Sequence, residues 1–92
     1  MSTKTKVLAK FFSIFRDYTS EFISTSSSPE DLLKRSEEKS LRYDFNISEP
    51  EMYALYGELS DAFSIDVGEF YEFISPTVGD LVHFIFGKID VA

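Results

Sequence analysis

The chain has 92 residues, of which 43% are hydrophobic, with ten Phe, five Tyr, no Trp, no Cys, one His and a formal net charge of −7. It is too apolar for a disordered chain, and the composition fits a small globular domain with an aromatic core, taken here as one domain over residues 1–92. The lack of cysteine excludes disulfides and thiolate metal sites, and a single histidine excludes a His-rich metal site.

The first predicted element is a helix over residues 4–23. A basic start followed by an apolar run is superficially like a signal peptide, but Lys10 interrupts the run and Arg16-Asp17 stands where a small-residue cleavage site is expected. No run of 18 apolar residues occurs, so no transmembrane span is predicted and the expected location is the cytoplasm. The helical spacing is carried by Val7, Leu8, Phe11, Ile14, Phe15, Tyr18 and Phe22.

Residues 24–29 are predicted to form a serine-rich linker, and a second, short helix is predicted to begin at its end. Ser28 precedes Pro29 and two acids, which is the residue order typical of a helix N-terminus. We expect a short helix through residues 31–38, followed by an irregular segment to Ile47.

The next long helix is predicted to begin at Ser48. Ser48 and Glu51 have the S-x-x-E spacing of a capping box, in which each side chain binds a backbone N–H group of the other residue. Ser48 is therefore interpreted as a helix cap. The buried stripe of this helix is predicted to be Met52, Leu55, Tyr56, Leu59 and Phe63.

Two shorter elements and a final helix complete the chain. Residues 64–68 are predicted to form a loop with Ile65 and Val67 turned inward, and residues 69–74 one short helix. Thr77 and Asp80 repeat the capping spacing more weakly. The last helix is lined by Val78, Leu81, Val82, Ile85, Phe86 and Ile89. With no alternating strand pattern, the sequence predicts an all-α bundle of about four helices.

The order of these elements resembles the acyl carrier protein fold. TVGDLVHFI at residues 77–85 looks like the last carrier helix, and FSIDV at residues 63–67 resembles the end of the second carrier helix and its loop. Residues 41–74 are similar, without gaps, to a bacterial family of uncharacterised acyl-carrier-like proteins. The resemblance covers residues 41–85 and implies a four-helix carrier-like bundle with a long loop between helices one and two.

The resemblance also implies where a prosthetic group would be attached. Working carriers attach phosphopantetheine to a serine in a D-S-L motif at the start of the second helix. The family's spacing, counted back from Phe63, places that position at Glu49, whereas Ser48 lies one residue earlier within I-S-E. The chain is therefore expected to have the carrier's shape without its phosphopantetheine arm, and modification of Ser48 stays open as an alternative.

Charge is divided unevenly along the chain. Residues 1–16 contain Lys4, Lys6, Lys10 and Arg16 and no acid, whereas residues 44–87 contain nine carboxylates and no lysine or arginine. Such an acidic surface repels phosphate backbones, so nucleic acid is not an expected partner and a basic protein is the natural complement. The alternative is that the acids serve only solubility. The basic segment is expected to pair within the chain or to face solvent.

No catalytic residue or metal site is predicted. Acids at Glu49 and Glu51, in the first turn of a helix, are expected to interact with the helix dipole rather than to form an acid–base pair. His83, between apolar residues, is interpreted as a rim or packing residue rather than a ligand.

Three functions are compatible with these observations, and the oligomeric state is left open. The first is an acyl-carrier-like interaction module that binds a basic protein. The second is an immunity protein that neutralises a basic toxin, and the third is a true acyl or peptidyl carrier modified on Ser48. The expected partner-binding residues of the first are Glu49, Glu51, Glu58 and Asp61.

Overall fold

The structure, a computed structural model, describes residues 3–19 and 28–89. These ranges contain no strand, so the predicted all-α class is confirmed. No helix within them is both long and apolar enough to cross a membrane. The α-helices of the described ranges are α1 (Thr3–Phe15), α2 (Pro29–Ser36), α3 (Glu49–Phe63), α4 (Val67–Phe70) and α5 (Val78–Ile89).

Aromatic rings join the helices through a continuous buried cluster. Phe15 of α1 meets Phe45, from the segment before α3, edge to face with ring centroids 5.1 Å apart. Tyr56 of α3 stacks on Phe70 of α4 at 5.6 Å, and Phe70 in turn contacts Phe84 of α5 at 5.1 Å. Such pairs contribute beyond the area they bury, so large rings let a small core hold several helices together.

The first helix is shorter than predicted. α1 ends at Phe15, the chain tightens into a 3₁₀ turn over Arg16–Tyr18, and Thr19 is extended with φ −151° and ψ 147°. The apolar spacing continues to Tyr18, but a branched Cβ at Thr19 favours extended backbone, and the Tyr18 hydroxyl is held by Glu58 of α3. The expected continuation over residues 20–23 lies outside the described residues, as do residues 24–27 of the predicted linker.

The predicted helix starts of α2, α3 and α5 are confirmed. The Ser28 side chain caps α2, with Pro29 at its first position, and the helix ends at Ser36. Thr77 and Asp80 exchange two hydrogen bonds, both 3.0 Å, at the start of α5. The capping box at Ser48 begins α3, and the predicted apolar stripes of α3 and α5 lie buried or half-buried.

The prediction of a helix over residues 69–74 is wrong. α4 is a single turn that begins after Asp66, whose side chain accepts a hydrogen bond from the Gly68 N–H group, and it ends at the buried Phe70. Val67 therefore belongs to the helix rather than to the preceding loop, although it is half-buried as expected. Ile74 was the last apolar residue of the predicted helix, but it is 87% exposed. The apolar spacing of residues 69–74 therefore does not correspond to a buried helix face.

The segment after α2 is tied to the start of α5 by three backbone hydrogen bonds, called here the backbone clasp. The first N–H groups of a helix lack acceptors within the helix, and the clasp provides carbonyl acceptors for two such groups of α5. Gly79 is required there because a Cβ would lie 2.8 Å from the Glu37 carbonyl oxygen. The bonds join Val78 N–H to the Lys39 carbonyl (3.0 Å), Gly79 N–H to the Glu37 carbonyl (2.9 Å) and Leu41 N–H to the Pro76 carbonyl (3.1 Å).

We expect Gly79→Ala to lower the free energy of unfolding by roughly 1–3 kcal/mol, because the new methyl group must push the backbone clasp apart. The matched control is Gly87→Ala in the same helix, where a Cβ meets no atom within 4 Å. That change should raise stability by about 0.5–1 kcal/mol through helix propensity. Urea denaturation followed by circular dichroism measures both. Equal stability of the two variants would show that the close approach at Gly79 can relax without cost.

Candidate functional site

Ser48 has both of its polar groups engaged in the capping box. Its backbone N–H and its hydroxyl each donate to Glu51 Oε1, at 2.9 and 2.8 Å, and its Oγ accepts from the Glu51 N–H group at 3.4 Å. Donation from the Ser48 backbone N–H, followed by that from its hydroxyl, lowers the pKa of the Glu51 carboxyl. The role of Ser48 as a helix cap is thus confirmed by geometry, and its hydroxyl is bonded to a carboxylate.

The four predicted partner-binding carboxylates have different surroundings. Glu49 pairs with Arg42 (Oε2 to Nη2, 3.5 Å) and accepts from the Tyr53 hydroxyl at 3.2 Å. Glu58 accepts from the Tyr18 hydroxyl, which links α3 to the end of α1. The Asp61 side chain makes no hydrogen bond or ion pair within the described ranges. Among the residues that the structure describes, partners are thus present for three of the four carboxylates, and the Asp61 side chain has none.

These carboxylates do not share one face of α3. With about 100° of rotation per residue, Glu51, Glu58 and Asp61 lie within an arc of about 80°, and we call these three residues the acidic ridge. Glu49 lies about 120° or more away from each of them, on the opposite flank of the exposed surface. The predicted set is accordingly split into the acidic ridge and an isolated Glu49.

Few cations compensate the acidic half of the chain. Of the nine carboxylates in residues 44–87, only Glu49 and Glu69 form ion pairs with described residues, which are Arg42 and Lys88 respectively. The other seven have no cationic partner among the residues that the structure describes. The surface of α3 and the segments around it thus has an uncompensated negative charge.

The basic N-terminal segment contacts this half of the chain through aromatic rings and not through its carboxylates. Lys4 lies over the Phe86 ring, 5.7 Å from its centroid, and Lys10 lies over the Phe63 ring at 5.9 Å. Within residues 3–19 and 28–89, no ion pair joins this segment to the acidic region. Lysines over rings have their charge near solvent and cover apolar surface with their stems, so these residues act in packing.

A cleft beside the N-terminal half of α3 was not predicted from the sequence. It encloses about 280 Å³ and is lined by three tyrosines with Met52 and Phe73, and its rim includes Arg42, Glu49 and Ile74. We call it the tyrosine cleft. Of the four large apolar side chains that are exposed in the described ranges, three belong to it. They are Tyr53 (48% exposed), Tyr71 (52%) and Ile74 (87%).

Tyr56 has an unusual position in this cleft. It is only 1% exposed, its ring is stacked on Phe70, and its buried hydroxyl has no hydrogen-bond partner among the described residues. Burial, with a smaller effect of the neighbouring Tyr53, raises the pKa of Tyr56 to about 12. Buried hydroxyls are almost always paired, so this unpaired group marks the cleft as a candidate site.

A second, shallower cleft of about 820 Å³ lies between the end of α2 and the start of α5. His83 lies at its edge, with Nε2 3.0 Å from Glu37 Oε1 and a side chain that is 62% exposed. Its ring centroid is 6.3 Å from that of Phe86. The structure therefore places His83 at a rim, as expected, and gives it an acidic neighbour from another element.

Comparisons with known proteins provide no relative from which a role could be transferred. The chain matches no protein-family model, and it has no significant match among curated proteins or solved structures. The resemblance to acyl carriers thus stays a prediction.

Tyr56→Phe removes the unpaired hydroxyl and keeps the ring. We expect the free energy of unfolding at pH 7 to rise by about 1 kcal/mol, because desolvation of the unpaired group no longer opposes folding. The contribution of neutral Tyr56 to stability is complete below the ordinary tyrosine pKa of 10.0 and is lost as the pH rises towards about 12. The variant lacks this titrating group, so its free energy of unfolding should fall less between pH 7 and pH 11. Urea denaturation at pH 7 and pH 11 measures both effects.

The control for this variant is Tyr18→Phe, which removes a hydroxyl that donates to Glu58. It should leave stability at pH 7 unchanged or slightly lowered. A Tyr56→Phe protein less stable than the unsubstituted chain would mean that the Tyr56 hydroxyl has a partner in solution.

Proposed function

We propose that this chain is a non-enzymatic, acidic interaction domain that binds a basic protein partner across the exposed surface of α3. The observation that carries the proposal is the uncompensated charge of residues 44–87, in which seven of nine carboxylates have no cationic partner within the described ranges. Unpaired charges of one sign raise the association rate with an oppositely charged partner and disfavour like-charged ones.

The acidic ridge is the proposed centre of this surface. Its three carboxylates lie on one side of α3, and Ala54, which is small and exposed, lies between Glu58 and Asp61 in angle. Asp61 has its full hydrogen-bonding capacity available to an incoming lysine or arginine. The bonds of Glu51 and Glu58 to neutral donors fix their positions without removing their charge.

The proposal includes a carrier-like arrangement of helices without a prosthetic arm. It is supported by the all-α fold and by the place of Glu49, where the carrier resemblance puts the attachment residue. It is also supported by Ser48, whose hydroxyl is held by Glu51 at 2.8 Å and donates to it as part of the helix cap.

Two double variants test the binding surface. Ala54→Lys/Asp61→Lys alters the acidic ridge, and Glu38→Lys/Gly87→Lys makes the same change of charge at exposed positions elsewhere. Proteins captured from the cells that produce this chain are identified by mass spectrometry, and the partner is then purified. We expect the ridge variant to associate with it roughly tenfold or more slowly at low salt, and the control to bind nearly as the unsubstituted chain does.

Equal loss of binding in both variants would show that only net charge matters, and no loss in either would show that the acidic ridge is not the surface. The identity of the partner separates the remaining functions. A basic nuclease that is inhibited by the chain would indicate an immunity protein.

The proposed absence of a phosphopantetheine group is tested by the intact mass of the chain after co-expression with a broad-specificity phosphopantetheinyl transferase. We expect an unchanged mass, because the serine lies in I-S-E rather than D-S-L and its hydroxyl is engaged in the capping box. Ser48→Ala is the control. A mass increase that disappears in this variant would make the chain a true carrier.

A further inference from the structure

The three tyrosine rings of the cleft contact one another at large angles, and those of Tyr53 and Tyr71 are about half exposed. The ring centroids of Tyr53 and Tyr71 are 5.3 Å apart at 90°, those of Tyr53 and Tyr56 are 6.4 Å apart at 69°, and those of Tyr56 and Tyr71 are 6.2 Å apart at 54°. The face of an aromatic ring is negative, so the exposed parts of the Tyr53 and Tyr71 rings favour a cation at the mouth of the cleft.

A carboxylate at the rim adds to this preference. Glu49 is 61% exposed in its side chain and binds Arg42 only loosely, at 3.5 Å. A carboxylate has about four acceptor sites, so Glu49 can accept from a second cation while it still accepts from Tyr53. Arg42 also lines the cleft, so an arriving cation shares Glu49 with it, in a chain with a net charge of −7.

Tyr56, which lines the same cleft, has a buried hydroxyl with unused acceptor capacity. Its oxygen has two lone pairs and no partner in the described part of the chain. Tyr53 and Tyr71 both contact the Tyr56 ring, and each is about half exposed, so rotation of either ring can open the way to the hydroxyl. A donor that enters between them removes the cost of the unpaired group.

We propose that the tyrosine cleft receives an arginine side chain of the basic partner, an inference that rests on the proposed function. The planar guanidinium stacks on tyrosine rings and has five donors, enough for Glu49 and the Tyr56 oxygen together. The cleft and the acidic ridge lie on opposite flanks of the exposed surface of α3, so one partner lying across this helix contacts both.

Titration of the isotope-labelled full chain with N-acetyl-Gly-Arg-Gly-amide, followed by NMR, tests this inference. We expect saturable shifts of the Tyr53, Tyr56 and Tyr71 ring signals. The same peptide with citrulline, which has nearly the same shape without the charge, should bind about tenfold more weakly. No saturable shift, equal binding of the citrulline peptide, or tighter binding of the corresponding phenylalanine peptide would each overturn the proposal.

Tyr53→Leu and Tyr43→Leu form a matched pair for this experiment. Both tyrosines are exposed, but Tyr43, at 76% exposure, does not line the cleft. Tyr53→Leu should weaken binding of the arginine peptide about tenfold, and Tyr43→Leu should leave that binding unchanged. Glu49→Gln, which keeps the side-chain shape, should also weaken it. Equal effects of the two leucine variants would contradict a site in the cleft.

The two proposals can fail separately. If the purified partner depends on the acidic ridge but the arginine peptide does not bind the cleft, only the arginine site is wrong. If the peptide binds in the cleft but partner binding is insensitive to the ridge variant, the proposed binding surface is wrong and the arginine site stands.

Discussion

The backbone clasp is the contact on which the arrangement of the longer helices depends. It joins segments distant in sequence, the turn after α2 and the start of α5, through main-chain N–H and carbonyl groups that every residue except proline has. Its only demand on residue type is at Gly79, where the two backbones are too close for a Cβ. Leu41, which is fully buried, also accepts from the Ile47 N–H group at 3.0 Å, so the same residue connects the clasp to the segment that leads into Ser48 and α3.

The features that could be predicted from the sequence are those determined by neighbouring residues. A cap needs only a side chain and an N–H group three residues away, so Ser28, Ser48 and Thr77 were identified as helix starts. Apolar spacing likewise identified the buried stripes of α3 and α5. By contrast, the ends of α1 and α4 depend on other elements, since Tyr18 binds Glu58 and Phe70 packs on Tyr56. The spacing alone extended both helices too far.

The candidate site divides in the same way. The acidity of α3 was visible in the sequence. A rotation of about 100° per residue along the helix then places Glu49 on a different side of α3 from the acidic ridge. The tyrosine cleft was not visible, because Tyr56 fits the apolar stripe as well as a phenylalanine would. Its hydroxyl, which has no partner in the described part of the chain, is buried where Tyr53, from the same helix, and Tyr71, from the turn after α4, pack around its ring.

The shortage of cations around α3 also affects how the chain responds to dissolved ions. Exposed ion pairs such as that between Arg42 and Glu49 contribute little to folding, whereas like charges gathered by the fold oppose compaction. Mobile counterions screen this repulsion over about 8–10 Å at physiological ionic strength. Added salt should therefore stabilise the folded chain while it slows recognition of a basic partner, so fold stability and association rate should shift in opposite directions as ionic strength changes.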